Sequence, residues 1–175
     1  MLTGMMTMTQ MLTTSEEVHV GISEYKIAAA PAKLMTVGLG SCIGTIIYDR
    51  QNQIGGLSHI MLPDSQPFAH RQTVKIEKFA DLALPAMVAE LKRLLPDAKL
   101  KAKIVGGANM FAFKHIQETE TIGERNIAAV EEILAQLGIP IVGKHVGGSA
   151  GRTMIVDLQD FQTVVRQANK EIVYL

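Results

Sequence analysis

The sequence is poor in cysteine and has no excess of charge of either sign. It contains a single cysteine among 175 residues, so no internal disulfide can form. Lysine and arginine together number 17, as do aspartate and glutamate, and the formal net charge is zero. A neutral chain has no overall field that draws it onto nucleic acid or an anionic membrane surface. We therefore expect no nucleic-acid partner.

Long hydrophobic runs are missing as well. No uncharged apolar stretch approaches the ~18 residues that a membrane-spanning helix requires, so no membrane insertion is expected. The N-terminal residues lack the positive segment and the continuous apolar block of a secretory signal. Together with the single cysteine, this predicts a cytoplasmic location. Residues 1–14, rich in methionine and threonine, are predicted to be a disordered tail, and residues 15–175 a single domain.

What the sequence does contain is a series of short apolar segments separated by glycine, proline and turn residues. These predict roughly seven or eight strands, including residues 33–37, 42–48 and 54–62. Apolar residues recur at helical spacing over 76–95 and 123–137, which predicts two long amphipathic helices. The pattern is typical of an α/β domain with much antiparallel pairing and helices packed outside the sheets. Near the C-terminus, a hairpin strand at residues 163–167 and an amphipathic helix remain alternatives.

The segment LMTVGLGSCIG, residues 34–44, places the only cysteine in a glycine-rich bend. An apolar run leads into the bend, and the β-branched segment 45–48 leads out of it. Glycine allows a positive φ and lets a ligand approach the main chain closely. A cysteine in such a bend is open to chemistry in a way that a cysteine in the middle of a strand is not.

Neither a nucleotide site nor a metal site is indicated. Gly38, Gly40 and Gly44 nearly match the dinucleotide fingerprint, but the next segment is strand-like and no acidic residue lies at the required distance. The loop GGSAGRT lacks the lysine of a phosphate loop. The five histidines are scattered, and none lies at a metal-ligand interval from Cys42. We expect neither a cofactor nor a metal.

The chemistry of Cys42 can be interpreted in two ways. A lone cysteine is more often a small buried apolar residue than a nucleophile. However, a hairpin would place His59 beside Cys42, and small polar residues surround the pair: Thr36, Ser41 and Ser58. A cysteine with a histidine is the minimum for a thiolate nucleophile with a general acid–base partner. From the residues alone, both interpretations stay open.

Five motifs occur in order along the chain: LMTVGLGSCIG, GGLSHIMLPDS, KIVGGANMF, IGERN and VGGSAGRT. Together they resemble the chemoreceptor glutamine deamidases of the CheD family, over about residues 20–158. The resemblance implies an α-β-β-α sandwich, with a catalytic cysteine at Cys42, a histidine at His59 and a threonine at Thr36. It also implies a hydrolase that converts specific glutamines of chemotaxis receptors to glutamate, on the cytoplasmic helices of those receptors.

The same resemblance implies further activities and partners. Family members can hydrolyse receptor glutamate methyl esters, and many bind a CheC-type phosphatase that acts on the phosphorylated response regulator. A chain that mainly binds and controls such a phosphatase, without catalysis of its own, is the competing interpretation. Acyl transfer of the transglutaminase kind uses the same residues and is a third.

Hydrolysis of a carboxamide requires more than an ionised thiol. A thiol of pKa about 8.5 is only about 3% thiolate at pH 7, so complete ionisation yields at most ~30-fold in rate. We expect His59 to accept the thiol proton and return one to the departing ammonia, with Thr36 orienting the imidazole. Backbone N–H groups of the bend, around Gly40 and Ser41, are expected to stabilise the oxyanion.

Three further residues are candidates for supporting roles. Asp64 competes with Thr36 as the group that orients the imidazole. Asn109 and Phe111 are predicted to form part of the substrate or partner surface, because their segment places apolar residues just after a flexible turn. Core packing of Met110 and Phe111 is the alternative.

Overall fold

The computed structural model describes residues 15–110 and 120–175. Residues 1–14, the predicted tail, and residues 111–119, which include Phe111, lie outside this part. The described strands and α-helices are, in chain order, β1 (Glu17–His19), β2 (Glu24–Ala29), β3 (Lys33–Leu39), β4 (Ile43–Asp49), β5 (Ile54–Ile60), α1 (Ala80–Leu94), β6 (Leu100–Gly106), α2 (Ile122–Gln136), β7 (Ile141–Val146), β8 (Arg152–Asp157), β9 (Thr163–Gln167) and β10 (Ile172–Tyr174).

The strands form two five-stranded sheets. The first has the order β1-β3-β8-β9-β10, and the second the order β2-β5-β4-β6-β7. Pairing is antiparallel except between β1 and β3 and between β6 and β7. The prediction of an α/β sandwich with largely antiparallel, mixed sheets is confirmed.

The C-terminal alternatives are decided in favour of strands. Residues of β9 pair with β8 on one side and with β10 on the other. An amphipathic C-terminal helix is therefore wrong. The strand count is also higher than predicted, because a strand of three residues such as β10 is too short to show a period of two.

Both described α-helices pack outside the sheets, on the second one. Their apolar sides share one core cluster with β4, β5 and β6, represented by Leu84 and Met87 of α1, Leu134 of α2 and Ile47 of β4. A capping box starts α2: Thr121 Oγ1 accepts the N–H of Glu124, and the Glu124 carboxylate accepts the N–H of Thr121. The two predicted helices are thus confirmed.

Every second side chain of β4 lies in the layer between the two sheets. Ile46 and Tyr48 belong to the cluster between the sheets, whereas Ile43 and Ile47 belong to the cluster beneath the helices. All residues of β4 are buried, since the strand is covered on both faces. Cys42 belongs to the cluster between the sheets, so its side chain lies in the same layer as Ile46.

Gly44 permits the two sheets to approach closely at this point. A Cβ added at Gly44 would lie 3.0 Å from both Leu39 Cδ1 and Met154 Sδ, and 3.4 Å from Thr36 Cγ2. All three neighbours belong to the first sheet and are buried. A larger residue at Gly44 therefore requires the side chains of Leu39 and Met154 to move by a few tenths of an ångström.

We expect Gly44→Val to lower the free energy of unfolding by about 1–3 kcal/mol, because it overpacks a filled layer. Urea unfolding of wild type and variant measures the change. Gly143→Val on β7 is the matched control, since a Cβ there would lie no closer than 3.4 Å to its neighbours. Equal losses in the two variants would show that the close approach at Gly44 is not a constraint.

Candidate active site

Three of the predicted site residues meet where the two sheets face each other. Thr36 lies on β3, His59 lies on β5, and Cys42 immediately precedes β4. Gly44 is the direct cross-strand partner of His59. Cys42 is two residues before Gly44 on the same face, which makes it the diagonal neighbour of His59. Cys42, His59 and Thr36 are all buried.

The irregular end of β3 creates the bend that carries Cys42. Pairing between β3 and β8 shifts register between Thr36 and Leu39. Gly38, within this shift, has a φ of +73°, a conformation that side chains other than glycine rarely adopt. The Gly40 N–H then donates to the Gly38 carbonyl, and the chain turns toward β4. Such bulges commonly end strand pairing next to a functional site.

One hydrogen bond joins the two sheets at the site. Thr36 Oγ1 lies 2.7 Å from His59 Nδ1 and also 2.7 Å from the carbonyl oxygen of Val20. The hydroxyl has one proton, and only a donor can satisfy the Val20 carbonyl. The proton of Thr36 therefore goes to Val20, and Thr36 accepts the N–H of His59. This assigns the neutral imidazole its proton on Nδ1 and leaves the lone pair on Nε2.

His59 Nε2 is buried and has no hydrogen-bond partner among residues 15–110 and 120–175. The expected hydrogen bond between Cys42 and His59 is thus not formed in this structure. Catalytic hydrogen bonds of this kind often tighten only when substrate binds. The arrangement leaves a basic nitrogen directed into the layer that also contains the thiol.

Burial keeps both groups neutral. It lowers the pKa of His59 from 6.5 to about 4. Burial also raises the pKa of the Cys42 thiol, an effect partly opposed by the residue's own backbone N–H. At pH 7 the site consequently holds a thiol and a neutral imidazole, not a thiolate–imidazolium pair.

The segment that follows β6 holds the backbone of the bend by hydrogen bonds. The N–H groups of Gly107 and Ala108 donate to the carbonyls of Cys42 and Gly40, at 2.9 and 2.8 Å. In the described part of the chain, the N–H of Ser41 donates to no protein acceptor, and the N–H of Cys42 has only the sulfur of its own residue as an acceptor. These two N–H groups are therefore the candidates in the bend for stabilising an oxyanion.

Asn126 of α2 contacts the site, and the sequence analysis did not identify it as a site residue. Its side-chain nitrogen donates to the carbonyls of Ser41, at 2.8 Å, and Met61, at 2.9 Å. The IGERN motif contains this residue, but the motif alone suggests no role. A usable signal was present, because Asn126 occupies the buried face of α2 between Gly123 and Val130.

The remaining predicted residues lie around the bend. Asp64 is exposed and accepts the N–H of Gln66, so the imidazole has Thr36 as its partner and not Asp64. Asn109 is exposed, and its N–H donates to the Gly148 carbonyl. Met110 is 51% exposed, so core packing is wrong for this residue.

The described residues offer neither a metal site nor a membrane-spanning helix. No group of three or more histidine, cysteine, aspartate and glutamate side chains there is placed to hold a metal ion. No helix there has the length and apolarity needed to cross a membrane.

Comparison with known proteins identifies the family. Residues 61–167 match the family model described as CheD chemotactic sensory transduction. A protein of Desulforamulus reducens named probable chemoreceptor glutamine deamidase CheD is 47% identical over 152 residues, which cover 86% of this chain and 90% of that protein. The chain belongs to the CheD family.

Other CheD proteins agree in length and name. A relative from Clostridium novyi is 45% identical over 152 residues, covering 86% of this chain and 93% of its own. A relative from Moorella thermoacetica is 45% identical over 160 residues, which cover 90% of this chain and 94% of that protein. Both are named probable chemoreceptor glutamine deamidase CheD. The resemblance based on the five motifs is therefore confirmed, while the family-model match begins only after His59.

The neutral His59 makes the stability of this CheD chain depend on pH. The unfolded chain binds a proton at His59 below pH ~6.5, whereas the folded chain binds it only near pH 4. The free energy of unfolding is therefore highest above pH ~6.5, where His59 is neutral in both states. It falls by on the order of 3 kcal/mol as the pH falls toward 4. His59→Asn should flatten the pH dependence of urea unfolding in this window; parallel curves for wild type and variant would contradict the assignment.

The raised pKa of Cys42 can be measured by alkylation. As Cys42 is the only cysteine, mass spectrometry after iodoacetamide treatment reports on this residue alone. We expect the rate to rise with a midpoint above the ordinary thiol value of about 8.5, because burial disfavours the thiolate. The same chain in urea is the control and should return to about 8.5. A midpoint below that value in the folded chain would indicate an ion pair with His59.

Proposed function

We propose that this chain is a protein-glutamine glutaminase that deamidates chemoreceptors. It hydrolyses the side-chain carboxamide of specific receptor glutamines to glutamate through a thioester on Cys42. The names of its CheD relatives support the reaction and the class of substrate. The observation that carries the mechanism is the Thr36–His59 hydrogen bond, which leaves Nε2 as a base in the layer of the thiol.

The first step forms the thioester. As the carboxamide carbon approaches, His59 Nε2 takes the proton of the Cys42 thiol, and the sulfur attacks the carbon. The carbonyl oxygen becomes an oxyanion, which accepts hydrogen bonds from the N–H groups of Ser41 and Cys42. Such donors are worth about 10²–10³ each in rate, because they are already oriented in a site of low dielectric. The imidazolium then gives its proton to the nitrogen, and ammonia leaves.

The second step releases glutamate. Nε2, again neutral, accepts a proton from a water molecule that attacks the thioester carbon. A second oxyanion forms at the same place and collapses, breaking the carbon–sulfur bond. The proton on the imidazole returns to the sulfur, so the thiol is regenerated. One water is consumed and one ammonia is released, and the carboxylic acid that forms loses its proton to solvent to give glutamate.

Thr36 has a positioning role in this scheme. By donating to the Val20 carbonyl, its hydroxyl is fixed as the acceptor for Nδ1–H. This holds the imidazole in the tautomer that acts as a base. A hydroxyl carries no full charge, so it stabilises the imidazolium less than a carboxylate does. The low pKa of His59, about 4, agrees with such a neutral partner.

Related reactions of the same site belong to the proposal. A glutamate methyl ester presents the same carbonyl with methanol as the leaving group, so the site is suited to receptor methylesterase activity as well. A CheC-type phosphatase is the proposed second partner. The exposed side chains of Asn109 and Met110, beside the bend, together with Phe111 outside the described residues, are the proposed contact surface for receptor or partner.

Variants of the three site residues test the mechanism. Cys42→Ala should abolish deamidation, because no thioester can form. His59→Ala should lower the rate by about 10²–10⁴, the usual value of general acid–base catalysis. Thr36→Val should cause a smaller loss, since the base remains but its orientation is lost. Each variant is incubated with a cytoplasmic receptor fragment, and glutamine-to-glutamate conversion is read by mass spectrometry.

The controls separate the competing interpretations. His70→Ala removes an exposed histidine outside the site and should retain full activity. An added primary amine should give no adducts, whereas a transglutaminase would form them. Full deamidation by Cys42→Ala would refute the mechanism. No deamidation by wild type, with stimulation of a CheC-type phosphatase by Cys42→Ala, would favour the purely regulatory role.

A further inference from the structure

The side chain of Asn126 links the two segments that carry the proposed nucleophile and base. Asn126 lies on α2 and is 0% exposed. Its amide nitrogen has two protons, and its two acceptors are the carbonyls of Ser41 and Met61. Ser41 precedes Cys42, and Met61 follows β5, the strand of His59. One amide group therefore sets the spacing of both segments.

Core packing alone does not explain an asparagine at this position. The other buried residues of α2 are Gly123, Val130 and Leu134. A buried amide costs free energy unless it is fully hydrogen-bonded. Asn126 Oδ1 is buried and has no partner in the part of the chain that the structure describes, so its desolvation is not offset. An apolar residue would suit the helix better, which indicates a role in the site.

The orientation of one peptide group connects Asn126 to the reaction. In a trans peptide, the carbonyl and the N–H point in opposite directions. Asn126 belongs to the helical layer and draws the Ser41 carbonyl toward that layer. The N–H of Cys42, on the other side of the same peptide, then points away from the helices. The side chain of Cys42 lies on that side, between the sheets.

We propose that Asn126 is a positioning residue that fixes the Ser41–Cys42 peptide with its N–H toward the oxyanion. The inference rests on the proposed function, since it assigns a residue to that reaction. Without Asn126, the Ser41 carbonyl is free to rotate, and rotation of the peptide turns the Cys42 N–H away from the substrate. The donation to Met61 keeps the segment after β5 in place at the same time.

Asn126→Leu tests this inference, with Asn126→Ala as a second variant in case leucine prevents folding. Both remove the two donors and leave Thr36, Cys42 and His59 unchanged. We expect kcat for receptor deamidation to fall by about 10²–10³, the value of one oxyanion donor, and KM to change by less than about threefold. Alkylation of Cys42 forms no oxyanion, so its rate should change by less than about threefold as well.

Glu124→Ala is the matched control. It removes the carboxylate half of the capping box and weakens the start of α2, but it leaves the Asn126 contacts intact. It should lower stability and leave kcat unchanged. Two outcomes would overturn this inference and leave the proposed function standing. In the first, folded Asn126 variants retain kcat; in the second, they lose kcat and alkylation rate in parallel. A wild-type chain without deamidase activity would overturn the proposed function, and this inference with it.

Discussion

The hydrogen bond between Thr36 and His59 is the interaction on which the site depends, because its two residues belong to different sheets. Across a sandwich, side chains normally meet through apolar contacts, and a polar group there must find its partner within the layer. The distance of 2.7 Å satisfies Nδ1 of a histidine that is 1% exposed. The absence of a side chain at Gly44 leaves room for Leu39 and Met154, which pack beside this contact. The carbonyl of Val20 then determines which way the protons of the network point.

A site built in this way contains no formal charge at rest. An uncharged site suits a carboxamide, because this group is itself neutral. Moving it from water into the layer costs much less free energy than moving an ion there. In the proposed reaction, charge appears only as the thioester forms and breaks, and the low dielectric of the layer strengthens the interaction of that charge with fixed N–H donors. The second sheet and α2 provide the rigid support. The groups proposed to react lie near a strand end and in a bend, while their orientation comes from buried elements on both sides.

Local patterns predicted some of this and could not predict the rest. The proximity of Cys42 and His59 followed from a hairpin, because β4 and β5 are consecutive and the short turn between them fixes their register. The role of Thr36 came only from the resemblance to CheD, since its contact crosses from one sheet to the other and no sequence spacing encodes that contact. A polar residue on the apolar face of α2 marked Asn126 as unusual, but only the positions of the Ser41 and Met61 carbonyls show what its amide binds.

Burial of the thiol also governs the fate of the chain when no substrate is bound. Peroxide attacks the thiolate, and an exposed thiolate is the one most readily oxidised. Many redox-active cysteines are rescued from the sulfenic acid by a neighbouring resolving cysteine. This chain has no second cysteine, so such a rescue within the chain is impossible. Keeping Cys42 protonated and 8% exposed therefore protects it from oxidative damage, whereas the proposed reaction then requires a base for every turnover.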